Sequence, residues 1–216
     1  FARAAKAAPS ISKPLPAPSA IKAPARWPSS LAISDLDLLP HSPDWAACLR
    51  ASWVPGEAAA RRRLAEFCDD DLTDYAKRRD RPDCDATSRL SAHLHFGELS
   101  PRTIWHAVRA SEGAAGQSDA SREKFLSELL WREFSAHLLH HWPELPEKPF
   151  RPEFAAFPWS DSPQLLRAWQ RGMTGYPIVD AAMRQLWQTG YMHNRVRMIV
   201  ASFLVKDLLI PWQQGE

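Results

Sequence analysis

The stretch YMHNRVRMIVASFLVKDLL, residues 191–209, decides how the chain is read. Ile199, Val200, Phe203, Leu204, Val205, Leu208 and Leu209 leave little room for a wet face, so it reads as one core helix. Its head is different. His193, Asn194, Arg195 and Arg197 crowd the first two turns. Asn194, Arg197, Met198, Ala201 and Val205 share a face, while Arg195 points about 100° away from Asn194. An N-terminal cap plus solvated arginines is one explanation. Yet the positive end of a helix dipole disfavours cations, and a bound anion would reverse that balance.

Upstream of this helix the text is helical as well. PIVDAAMRQLWQTG (177–190) has Asp180 in its first turn, which suits the dipole and reads as a good helix start. DSPQLLRAWQRG (161–172) supplies a cap, a proline and a terminal glycine, and SPRTIWHAVRAS (100–111) has a Ser100 cap with Pro101 at the first helical position. PGEAAARRRLAEFCDDDLTDYAKRRD (55–80) spaces Leu64, Phe67, Leu72 and Tyr75 for one face. No segment alternates like a strand. The expected fold class is all-α from residue 55 onward, with one long helix near 119–142.

That long helix carries charge where burial is expected. Phe125, Leu126, Leu129, Leu130, Phe134 and Leu138 spread around much of its circumference, the mark of a buried helix. Glu128, Trp131, Arg132 and Ser135 nevertheless fall in one stripe at i, i+3, i+4 and i+7. The stripe is either a Glu128–Arg132 pair on a half-exposed face or the wall of a pocket, because buried charge is costly unless paired or lining a cavity. DATSRLSAHLHFGELS (85–100) sets Thr87, Ser88 and Ser91 around Arg89 at a helix start. Such hydroxyl and N–H clusters can hold a phosphate, although Ser/Thr caps are common.

Composition narrows the classes. The 216 residues suffice for a sizeable core, and 45% are hydrophobic. No apolar run is long enough to span a bilayer, so the chain reads as globular, without a membrane partner, and cytoplasmic. Cys48, Cys68 and Cys84 have no metal spacing and suit a reducing compartment. The net charge of +2 requires any nucleic-acid binding to come from a local patch. With eight glycines and neither GxGxxG nor a P-loop, no standard nucleotide cradle is encoded. His137 and His141 have ligand spacing, but nothing completes a metal set, and none is expected. Residues 1–54 read as a Pro/Ala-rich linker followed by irregular chain, with Leu36, Leu38, Leu39, Trp45, Leu49 and Trp53 as anchors.

Four passages together resemble the DNA photolyase/cryptochrome flavoproteins: DYAKRRDRPD (74–83), TSRLS (87–91), FLSELLWREF (125–134), and the run from Thr174 to Gln213 that contains residues 191–209. They occur in the family's order and cover the chain from about residue 36. The resemblance implies the end of an interdomain linker (1–54), then the first part of a helical FAD-binding domain (55–216). An antenna domain with a folate or deazaflavin chromophore would precede it and a further flavin segment would follow. FAD would be the cofactor. Its holders would be Tyr75, Thr87, Ser88, Arg89, Leu90, Ser91, Phe125, Arg132 and Arg197. Glu128, Trp131, Ser135, Asn194 and Met198 would line the pocket for a flipped-out pyrimidine dimer, with Glu128 and Asn194 acting in the chemistry. Arg79 and Arg195 would meet DNA phosphates. Trp159 and Trp212 would be the outer members of an electron-hopping chain.

Tyr191 stands where the family more often has Trp, and Phe125 where some members have Trp. Asn194 occupies a place where six-four photolyases use histidine, which favours the class I cyclobutane-dimer type. The implied activity is light-driven dimer repair in DNA by a monomeric lyase. A cryptochrome photoreceptor with the same flavin pocket is the alternative, and a plain helical scaffold the non-enzymatic one. Arg197 would need a carboxylate partner, which the family supplies from the later segment.

Overall fold

The computed structural model describes residues 11–111 and 117–216, apart from the side chains of residues 117–119. The linker expectation for residues 1–10 lies outside them. Among the described residues there are helices and turns and no strand, and no helix is long and apolar enough to cross a membrane. Nine α-helices occur among them: α1 Ala47–Ser52, α2 Glu57–Glu66, α3 Tyr75–Arg78, α4 Ser91–His95, α5 Pro101–Ala110, α6 Gln117–His141, α7 Pro163–Gln170, α8 Pro177–Thr189 and α9 Asn194–Ser202.

Several helix limits follow from their punctuation. Ser100 accepts a hydrogen bond from the Arg102 N–H and Ser162 from the Leu165 N–H, so both cap orphan donors ahead of a proline. Gly190 closes α8 at φ +67°, a conformation glycine adopts without a Cβ penalty. Gly172 is required twice over: its φ is +61°, and a Cβ there would lie 2.5 Å from the Asp180 carbonyl oxygen.

The apolar residues gather into two clusters. The first packs α2 and α3 against α5 and α6, around Phe67, Leu90, Ile104, Val108 and Leu126. Within it Phe67, Tyr75 and Phe125 form a triangle of rings with centroids 4.6–5.6 Å apart. The second packs α7, α8 and α9 around Trp169, Val179, Val200, Leu204 and Ile210. α1 joins them. Leu49 lies against Gly190, and the Trp53 indole N–H donates to the Thr189 carbonyl at 2.5 Å.

Three expectations fail here. The stretch 191–209 is not one helix. It begins at Asn194, because the buried His193 side chain accepts from the Arg195 N–H and caps it, and after Ser202 it widens into a π-turn over Phe203–Asp207. Leu209 then adopts φ +54° and is 40% exposed, outside the helix. The long helix is buried at Ser121, Phe125, Leu126, Leu129 and Leu130; from Trp131, itself 60% exposed, it is mostly exposed. In the leading segment Leu36, Leu38, Leu39 and Trp45 are exposed, whereas Leu49 and Trp53 are half-buried.

Candidate functional site

Between the two clusters runs a cleft of about 820 Å³, in the range of small-molecule sites. Its walls come from α3, the Thr87–Leu94 segment, the middle of α6, and residues 190–197. Every expected cofactor holder lines it: Tyr75, Thr87, Ser88, Arg89, Leu90, Ser91, Phe125, Arg132 and Arg197. Arg79, Glu128, Trp131, Ser135 and Asn194 line it too. Four arginines and a single carboxylate therefore line one cleft.

The Thr87–Ser91 wall is held by partners outside the motif. Arg63 on α2 donates from Nε to the Ser88 carbonyl and from Nη2 to the Thr87 carbonyl, each at 3.0 Å. The Thr87 hydroxyl meets the Tyr191 hydroxyl at 2.7 Å, which ties this wall to the turn before α9. The Arg89 guanidinium lies 5.0 Å from the centroid of the same Tyr191 ring and pairs with Asp85 at 3.1 Å. α4 begins only at Ser91, so the hydroxyls of Thr87 and Ser88 precede the helix instead of capping it.

The opposite wall is set by charge. Arg79 has a side chain only 7% exposed. It lies over the Tyr75 ring and pairs with Glu128 and Asp80. Burial works against its charge, yet these carboxylates hold its pKa above the ordinary value. Burial also pushes the Tyr75 phenol up to about 12. Glu128 receives both Arg79 and Lys124 on Oε1, Lys124 at 3.6 Å. Its Oε2 has no protein partner among the described residues.

Several assignments change. Arg79 is not a surface phosphate contact; its guanidinium is turned inward by Glu128 and Asp80. The Glu128–Arg132 pair does not form, because Arg132 turns to Glu133 and to the Leu94 carbonyl. Met198 does not line the cleft. α9 presents Asn194 and Arg197 there, and one residue further round, Met198 faces a shallow groove with Tyr176 and Ile178. The Ser135 hydroxyl donates to the Trp131 carbonyl at 3.0 Å. Phe125 is 5% exposed and largely core. Trp159 and Trp212 lie in a separate apolar groove with Phe150, Phe154 and Phe157, away from Glu128.

Arg195 does point away from the cleft, as its position on the helix requires. Its Nε and Nη2 donate to the two Asp80 oxygens, each at 2.8 Å. Arg197 sits at the start of α9, donates to the Met192 carbonyl at 3.2 Å, and has no carboxylate partner among the described residues. A cation at a helix N-terminus without a counter-charge, facing a cleft, is a place for an anion. Among the described residues no group of three or more His, Cys, Asp or Glu is placed to hold a metal ion. His137 and His141 lie ring to ring at 4.4 Å.

Sequence reasoning missed Asp80, Arg63 and Lys124 as parts of this site, and it missed the contact of Tyr191 with Thr87. Lys124 alone had a local signal, at i,i+4 from Glu128. Asp80 meets Arg195 across 115 positions, which no spacing rule reaches.

Residues 125–216 match the family model described as the FAD binding domain of DNA photolyase. A deoxyribodipyrimidine photo-lyase of Agrobacterium fabrum is 52% identical over 203 residues, covering 94% of this chain and 42% of that protein. The crystal structure of a bacterial class III photolyase from Agrobacterium tumefaciens superposes with a TM-score of 0.93 at 48% identity, over 99% of this chain and 44% of that one. A Synechocystis cryptochrome structure aligns with a TM-score of 0.69 at 36% identity, over 76% of this chain and 34% of that one. The chain thus spans less than half the length of these relatives. It belongs to the DNA photolyase/cryptochrome family, and residues 125–216 match the FAD-binding domain of that family.

Proposed function

We propose that the cleft holds FAD beside a flipped-out cyclobutane pyrimidine dimer and that the protein repairs such dimers in DNA with light. The observation that carries this reading is convergence. Glu128, Trp131 and Arg132 on α6 and Asn194 and Arg197 on α9 come from stretches about sixty residues apart, yet they line one cleft with Thr87–Ser91.

The residues fit the cofactor. A flavin dinucleotide is an apolar ring system joined to a pyrophosphate dianion. The cleft offers Leu90, Leu94, Phe125, Leu129 and Met192 as apolar wall, and arginines in excess of carboxylates. Arg197 supplies the unmatched positive charge at a helix N-terminus, and the Thr87–Ser91 segment supplies hydroxyls and N–H groups for phosphate oxygens. Reduced FAD, when bound, would supply the light-driven electron for opening the two bonds joining the pyrimidines, with no net redox change.

The chain's own part is placement and electrostatics. Trp131 offers an exposed face on which a flipped base stacks. Arg79 and Lys124 occupy Glu128 Oε1 and leave Oε2 to hydrogen-bond the dimer. As a carboxylate, Oε2 accepts from a ring N–H; meeting a carbonyl would take a proton on Glu128. Asn194 supplies both a donor and an acceptor beside it. Such preorganised groups favour charge developing on the substrate. Arg195 faces outward for the DNA backbone and gives affinity its salt dependence. Trp159 and Trp212, in their aromatic groove, are the outer relay that reduces the flavin. An antenna chromophore would belong to a domain preceding residue 1.

The sequence reading points to class I, whereas the structure matched along 99% of this chain is of a class III enzyme; the proposal is for dimer repair without a subclass. The unit is residues 55–216 behind a linker, and the protein acts as a monomer in the cytoplasm. The test is blue-light illumination of the flavin-reduced protein with thymine-dimer DNA. Dimers should be split, and Glu128→Gln should slow the splitting about tenfold or more. A protein that binds FAD but splits no dimer in single- or double-stranded DNA fits the photoreceptor alternative, and the repair reading falls.

A further inference from the structure

Behind Glu128 and Arg79 lies a second layer of charge centred on Asp80, which the flavin and dimer contacts leave unused. Asp80 follows α3 and sits between two arginines. Its Oδ1 accepts from Arg79 Nε at 3.1 Å and from Arg195 Nε at 2.8 Å, and its Oδ2 accepts from Arg195 Nη2 at 2.8 Å. The far end of Arg79 donates to Glu128. Glu128, Arg79, Asp80 and Arg195 are thus linked without a break from the cleft wall to the surface. Side-chain exposure is 7% at Arg79, 43% at Arg195 and 45% at Asp80, so the outer pair is open to an arriving ligand.

The geometry of the outer pair has a cost for DNA binding. Asp80 fills the Nε–Nη2 fork of Arg195, the edge best shaped for two phosphate oxygens. Arg195 Nη1 points at the Met198 sulfur, 3.7 Å away. A phosphate must therefore displace Asp80 or dock on the guanidinium beside a like charge. A unit charge about 6 Å away in water changes binding about threefold. At the other end Asp80 fixes Arg79, and Arg79 holds Glu128 by one oxygen.

We infer that Asp80 is a specificity-determining positioning residue: it competes with the DNA backbone for Arg195 while holding Arg79, and through it Glu128, in place for the dimer. This rests on the cleft being the repair site. Contacts that every DNA offers are weakened, and the contact that only a dimer offers is kept in order.

The test compares wild type, Asp80→Asn and Asp80→Glu, each flavin-loaded, by fluorescence anisotropy. The probes are an undamaged duplex and the same duplex with one thymine dimer, over a salt series. Asp80→Asn keeps a hydrogen-bond acceptor but loses the charge. It should bind undamaged DNA about threefold more tightly, with a steeper salt dependence, and its preference for the dimer duplex should fall. Asp80→Glu should keep the wild-type salt slope and preference. A residue that only supports the fold would lower the melting temperature and weaken both duplexes together. Asp80→Asn binding undamaged DNA no more tightly than wild type overturns the inference. So do Asn and Glu variants that behave alike. If wild type shows no preference for the dimer duplex, the repair reading fails, while the change in undamaged binding still tests Asp80.

Discussion

Replacing Asp180 with Asn tests how the second cluster is assembled. Asp180 is 8% exposed in the first turn of α8. Its Oδ1 accepts from the Thr174 N–H at 2.7 Å and the Thr174 hydroxyl at 2.6 Å, and its Oδ2 accepts from the Gly175 N–H at 2.9 Å. Burial opposes the charge, but these hydrogen bonds and nearby Arg184 hold the carboxyl below its usual pKa. Asn has one acceptor end and one donor end. Whichever way its amide turns, the NH2 meets a donor, so at least one bond is lost and the others lose charge assistance. A hydrogen bond to a charged group contributes about 1.5–3 kcal/mol and a neutral one about 0.5–1.5 kcal/mol. On the same scale the expected loss is roughly 2–4 kcal/mol at pH 7.

The pH dependence has a definite sign. A carboxyl whose pKa is lowered by folding contributes stability that is fully present above the unfolded value of about 3.9 and is lost as pH falls through the folded value. The gap between wild type and Asp180→Asn should therefore be constant near neutrality and should shrink in acid. Urea unfolding followed by circular dichroism, with midpoints compared at equal slope, measures it. A gap under about 0.5 kcal/mol at pH 7, within the ordinary range for surface substitutions, would refute the reasoning. So would a gap that widens as pH falls.

Other substitutions probe other parts. Leu126→Ala empties a fully buried position of the first cluster and should cost about 2–5 kcal/mol in the same unfolding experiment. Tyr191→Phe removes the 2.7 Å contact to Thr87; unfolding should show a loss of about 0.5–1.5 kcal/mol. Trp212→Phe should impair light-driven flavin reduction but spare repair once the flavin is reduced chemically; unchanged photoreduction would remove Trp212 from the relay.

What could be read from the sequence was local. Ser100, Ser162 and Gly190 announce helix ends because caps and left-handed termini depend on residues within a turn. The apolar spacing of Leu64, Phe67, Leu72 and Tyr75 gave their shared burial although a π-turn interrupts the helix. The Glu128 stripe offered a pocket wall as one of two readings, and the cleft bears that one out. The stripe did not show the partner, because Arg79 lies 49 positions away and outcompetes Arg132 four residues on. Asp180 was legible as a helix start, but its hold on the Thr174–Gly175 turn was not. The His193 cap escaped notice because histidine is not a usual capping residue. Met198 was assigned to the pocket by the resemblance alone; it lies one residue round α9 from Arg197 and faces the neighbouring groove.

The central claim is that the cleft between the two clusters is the flavin site. Ala92 lines it, and Ala92→Trp would fill it with a side chain anchored in α4. Titration of FAD, followed by quenching of flavin fluorescence, should show a single saturable site in the wild type and none in Ala92→Trp, with unchanged far-ultraviolet circular dichroism. FAD that binds Ala92→Trp as it binds the wild type, or that never saturates the wild type, would contradict the account.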